Sequence, residues 1–164
     1  MLESQREPVP FDDDGERDTA LAFLAFARSC VLKKLDGLDE EQLRRRPLVS
    51  ETNLLGLVQH LTGVERYWFG HALAGDPRHA EPDFTMVVAP DRSAAQVIAG
   101  YRDAIAASDA HIRAAGSLDA RTAQPVNDEP RTLRWVIAHL TGETARHAGH
   151  ADILRELIDG VTGR

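Results

Sequence analysis

The chain has 164 residues, a formal net charge of −7, and 43% hydrophobic against 27% charged residues. That size and balance suit one folded domain burying about 70% of its unfolded surface, and they exclude a disordered or collagen-like chain. No basic block exceeds Arg44-Arg45-Arg46, which excludes nucleic-acid binding through phosphate neutralisation, and no apolar run approaches the roughly 18 residues of a membrane span.

Residues 1–15 are acidic and proline-containing, with no apolar stretch of the signal-peptide kind. They are expected to form a flexible N-terminal segment ahead of a single domain over 16–164. A first helix is predicted from Glu16 to Asp36, with Leu21, Leu24, Ala25, Arg28, Leu32 and Leu35 at helical spacing and Gly37 at the C′ position. It carries Cys30, the one cysteine of the chain, which excludes an internal disulfide, suits a reducing cytoplasm and reads as a structural thiol. Asp39-Glu-Glu-Gln-Leu predicts a short helical turn capped by Asp39 and stopped before Pro47.

The second long helix is expected to start after Ser50 or Thr52, turn Leu54, Leu57, Leu61, Val64 and Trp68 inward, and end near Gly75. The stretch from Pro77 to Arg92 holds three prolines and reads as a crossover loop in which only Thr85-Met-Val-Val suggests an extended piece. Ser93 and Gln96 form a capping-box pattern that opens a third helix running to Ala115 and stopping at Gly116. After a loop with Pro125 and Pro130, Thr132 caps the last helix, Leu133 to Asp159, closed by Gly160. The prediction is all-α: a four-helix bundle with two long crossover connections.

On the inward face of the last helix, Val136, Leu140, Glu143, His147 and Leu154 recur at spacings of three, four or seven. At about 100° per residue, Glu143 and His147 lie roughly 40° apart, and His150 about 20° from Glu143. An ionised carboxylate in an apolar stripe is costly without a partner, and a divalent cation resolves that cost by favouring carboxylate and neutral imidazole together. His60 adds a donor from the inner face of the second helix, between Leu57 and Val64. Three N/O ligands with one open position is the arrangement of catalytic zinc, whereas four closed ligands mark structural sites. Zinc, nickel or iron accepts such a set. Spacing alone leaves two alternatives open: His147 with His150 as the ligand pair, or Glu143 with His147 as a surface pair. His71, His79 and His111 are expected at the surface. Glu65, Arg66 and the Asp152, Arg155, Glu156 group read as inter-helix ion pairs.

Leu54-Leu-Gly-Leu-Val-Gln-His60-Leu-Thr-Gly-Val-Glu65-Arg-Tyr-Trp68-Phe and Glu143-Thr-Ala-Arg-His147-Ala-Gly-His150-Ala-Asp-Ile-Leu-Arg-Glu156 resemble the DinB-like superfamily, in particular its actinobacterial mycothiol-dependent branch. The Glu16-Arg-Asp-Thr-Ala-Leu-Ala-Phe-Leu stretch also fits, so the resemblance extends from about Glu16 to Gly160. It implies a bundle whose metal is held by His60, Glu143 and His147. Many members carry His where this chain has Glu143, whereas mycothiol-dependent isomerases carry Glu there, so the thiol-transferase side of the family is the better match. Those isomerases often extend beyond the bundle, and no further domain is expected here after Gly160. His150 replaces a frequent Gln and would face substrate or support a ligand. His139 matches a frequent histidine that does not ligate.

The resemblance implies a cytoplasmic enzyme, in common with its relatives a homodimer, whose metal binds mycothiol as thiolate for transfer to a small electrophile. His150 is the candidate catalytic residue, able to relay a proton. Asn53, at the pocket mouth, and Arg146, beside His147, are candidate contacts to cofactor or to an anionic substrate group. Arg146 reads equally as a surface salt-bridge partner. The alternative function is a non-catalytic metal-binding stress-response bundle, which metal removal would unfold.

Overall fold

The computed structural model describes residues 6–163 and shows the predicted all-helical architecture. Helix α1 spans Glu16–Leu32 and tightens into a 3-10 turn at Lys33–Leu35. Helix α2 is the short Glu40–Arg44 turn, with Asp39 and Gln42 exchanging both bonds of a capping box. Helix α3 runs Leu54–Glu65 and continues as a π-helical segment over Arg66–Leu73. Helices α4 (Ala94–Ala115) and α5 (Leu133–Asp159) begin at the predicted Ser93 and Thr132 caps. Gly116 and Gly160, both at positive φ, end them where residues with a Cβ would be strained.

Three local expectations change. The cap of α3 is Asn53, whose Oδ1 accepts from the Gly56 amide, rather than Ser50 or Thr52. Thr85-Met-Val-Val forms no strand, and the described residues contain only two isolated β-bridges, both in the loop before α5 and at its cap. Of the segment expected to be flexible, residues 1–5 lie outside the described residues. Its remainder is tied to α1: Ser29 Oγ donates to Glu7, and Thr19 Oγ1 donates to the Asp12 carbonyl.

Helix α1 packs on α5, and α3 packs on both α4 and α5. The apolar core has two parts. One gathers Val31, Leu55, Leu57, Leu61, Val97, Ala151 and Leu154, and the other Leu24, Val64, Phe69, Ile112, Leu133 and Leu140. Between them runs a polar layer. The Arg28 guanidinium grips both Glu65 oxygens at 2.7 Å and reaches Asp109 at 2.8 Å, linking α1, α3 and α4. Burial alone would lower the Arg28 pKa, but the bonds and charges of Glu65 and Asp109 raise it above its ordinary value. This bidentate pair bears out the inter-helix reading of Glu65. Asp152 likewise pairs with the fully buried Lys34 across α1 and α5 at 2.8 Å. Arg155 instead bonds Asp159 on its own helix, while its Nη1 caps the Lys34 and Asp36 carbonyls at the end of the α1 segment. Arg66 has no such pair among the described residues and lines a surface pocket with Gln59, Arg78 and Asp83.

Candidate metal centre

Along α5 the apolar residues of one core cluster stop at Leu140 and those of the other resume at Ala148. Glu143 and His147 occupy that gap, and His60 faces them from α3. Glu143 Oε1 lies 3.1 Å from His147 Nε2 and 3.5 Å from His60 Nε2. Donor atoms of all three residues fall within 4.8 Å of one another. Two ligands each about 2.1 Å from one tetrahedral ion stand roughly 3.4 Å apart, so the two edges through Glu143 already have ligand spacing. With side-chain exposures of 14%, 17% and 7% for His60, Glu143 and His147, the cluster is largely buried but not sealed from solvent.

Tautomers can be assigned from hydrogen-bond partners. His60 Nδ1 lies 2.8 Å from the Phe84 carbonyl oxygen, which only accepts. Nδ1 therefore carries a proton, which leaves Nε2 as the nitrogen turned toward Glu143. His147 turns Nε2 to Glu143 and Nδ1 to His150 Nδ1, 3.3 Å away. When Nε2 serves as a ligand, Nδ1 carries the proton and donates to His150. Both imidazoles thus have the supporting partner that metal-ligating histidines require.

Electrostatics prepares the same protonation states. Burial works to raise the Glu143 pKa. The charge and bond of His147, the bond of His60 and the charge of Arg146 outweigh it and hold the carboxyl below its ordinary value. Burial lowers the His147 pKa, the neighbouring His60 charge lowers it further, and the opposing pull of Glu143 does not restore it. A carboxylate beside a neutral imidazole is the state a divalent cation needs, and the donor set fits one.

The remaining sequence candidates fall into place around this cluster. His150 is exposed apart from its contact with His147. Arg146 projects into solvent with 66% of its side chain exposed and pairs with Glu143 Oε2 at 3.3 Å. Asn53 is not in the cluster, since its amide is committed to the α3 cap. His139 stacks on Trp135 and meets the Trp68 ring edge-on, away from the donor set. The three histidines expected at the surface are half-buried instead. The π segment and a 3-10 turn at Pro77–His79 fold back on each other, so His71 bonds the Asp76 carbonyl and His79 lies against Gly70. Cys30 is buried, near Lys34 and Asp152, and burial pushes its thiol pKa up.

Sequence reasoning missed Phe84, because its role belongs to a backbone carbonyl that any residue carries. It also missed the ring row linking His60 through Phe84 and Tyr67 to Trp68.

Residues 19–160 match the family model of the mycothiol-S-transferases. A search of curated proteins found no match. Among the described residues no helix is long and apolar enough to cross a membrane.

Proposed function

Because the chain belongs to the mycothiol-S-transferase family, we propose that it transfers mycothiol to small electrophiles in the cytoplasm at a metal held by His60, Glu143 and His147. The observation that carries this reading is the convergence of two oriented imidazoles on one carboxylate oxygen. Zinc is the ion proposed, although nickel and iron accept the same set. Bound there with an open position, the ion supplies a site at which a thiol is held as its nucleophilic thiolate.

The protein's own side chains do the rest. Glu143 offsets part of the cation's charge. His60, held by the Phe84 carbonyl, and His147, held by His150, keep their lone pairs aimed at one point. His150 accepts from His147 Nδ1 at its own Nδ1, so its Nε2 carries a proton and would offer a donor to the bound substrate, while the proton of the incoming thiol would leave to solvent. Arg146, exposed beside Glu143, offers a cation to an anionic group of the electrophile. Asn53 supports the helix that presents His60 and is not assigned a ligand contact.

The test is conjugation of a model electrophile with mycothiol, glutathione and bacillithiol by zinc-loaded wild type and by His147→Ala. The reading expects mycothiol to be preferred and the substitution to reduce turnover by about 100-fold or more. Unchanged turnover in His147→Ala, or no thiol consumed by the loaded wild type, would leave a non-catalytic metal-binding bundle as the better description.

A further inference from the structure

The crossover loop between the π segment and α4 does not merely pass over α3; it touches the helix backbone at two points one heptad apart. A Cβ built on Gly56 would meet the Met86 carbonyl oxygen at 2.1 Å, and one on Gly63 would meet the Asp83 carbonyl oxygen at 2.1 Å. Ordinary Cβ contacts begin near 3.4 Å. Both obstacles are backbone atoms that cannot rotate aside, so any larger residue must lift the loop. Between these contacts lies Phe84, whose carbonyl accepts from His60 Nδ1 at 2.8 Å. His60 stands between the two glycines on α3, four residues after one and three before the other. Asp83 ties the strap further: Oδ2 accepts from Gln59 Nε2 at 3.1 Å and Oδ1 from the Thr85 amide at 2.9 Å.

We infer that Gly56, Gly63 and Asp83 are positioning residues of the metal centre, seating the 83–86 strap so that the Phe84 carbonyl fixes His60 with its proton on Nδ1 and its lone pair on Nε2. The inference rests on the reading of His60 as a ligand. An imidazole without such a partner distributes its proton between the two nitrogens and turns freely about its side-chain bonds. The strap removes both freedoms before any ion arrives. Pre-orientation of this kind accounts for the tenfold to hundredfold losses, order of magnitude, that follow removal of a supporting partner in metal sites.

The experiment compares Gly63→Ala with Gly142→Ala, a control on α5 where an added Cβ has nothing within 4 Å. Asp83→Ala serves as a second variant that loosens the strap without adding volume. Two quantities are read: zinc affinity by competition with a chromophoric chelator, and the ring 15N shifts of His60 in metal-free protein. The tautomer reports on the strap without any metal and would not follow from a general loss of stability. Wild type and Gly142→Ala should show the proton on Nδ1. Gly63→Ala should show a mixture and bind zinc at least about tenfold more weakly, with Asp83→Ala shifted the same way by less. If Gly63→Ala does not fold, Asp83→Ala alone decides. Wild-type tautomer and affinity in the folded strap variants, beside zinc uptake by wild type, would overturn the strap's role and leave the metal reading standing. No zinc uptake by wild type would overturn both.

Discussion

His147 shows how one position can be set up for two partners. Its depressed pKa keeps the ring neutral where an unburied histidine, near 6.5, would already be half protonated. Protons therefore compete with a cation at His147 only at lower pH, and zinc uptake should fall as pH drops through that depressed range. The metal-free protein carries a linked effect. Unfolded His147 binds a proton near pH 6.5 while the folded residue does not, so stability is lost as pH drops from that value toward the folded pKa. Glu143 acts in the same direction lower down: its stabilisation is present above about 4.5 and lost as pH falls through its depressed folded value. The urea midpoint of the apo protein should fall between pH 7 and 5 in wild type and fall less in His147→Ala; equal slopes would contradict this account. His150→Ala should weaken zinc binding by about 10- to 100-fold, through the lost partner of His147 Nδ1. Equilibrium dialysis showing wild-type affinity would assign His150 no part in holding the ligand. Helical spacing put Glu143 and His147 on one face and His60 on another apolar face but left His150 as a rival ligand, and only the resemblance singled out these three. Phe84 was not legible, since no side-chain type marks a carbonyl acceptor.

At the level of elements, the helices that begin and end on local chemistry were legible. Asp39, Ser93, Gln96 and Thr132 mark starts, and Gly116 and Gly160 mark stops, because each acts on backbone groups within four residues. The π segment was not, since no proline or polar break announces it; it occurs where His79 of the following turn packs against Gly70. The Arg28–Glu65 pair stands at the junction of α3 with that segment, with side chains 5% and 1% exposed. Arg28→Ala leaves a buried carboxylate unpaired, which costs about 3–5 kcal/mol of stability. Replacing both residues by apolar ones of similar volume should recover most of that loss. Urea unfolding of the single and double variants checks this, and equal losses in the two would show that the pair's charge is not what matters.

For the whole molecule, two apolar clusters built from all four long helices bury a core outside the donor set. Chelation should therefore lower the melting temperature while leaving the far-ultraviolet dichroism of the helices at 25 °C intact. Collapse of helicity on chelation would instead make the metal structural. The net charge of −7 opposes a polyanion, so a mobility-shift titration with DNA at low salt should show no salt-sensitive binding. A metal at His60, Glu143 and His147 should take a thiol into its open position. X-ray absorption at the metal edge of the loaded protein, with and without mycothiol, reads that position directly. A shell of nitrogen and oxygen scatterers should gain one sulfur at about 2.3 Å when mycothiol is added. A shell unchanged by the thiol would contradict that binding.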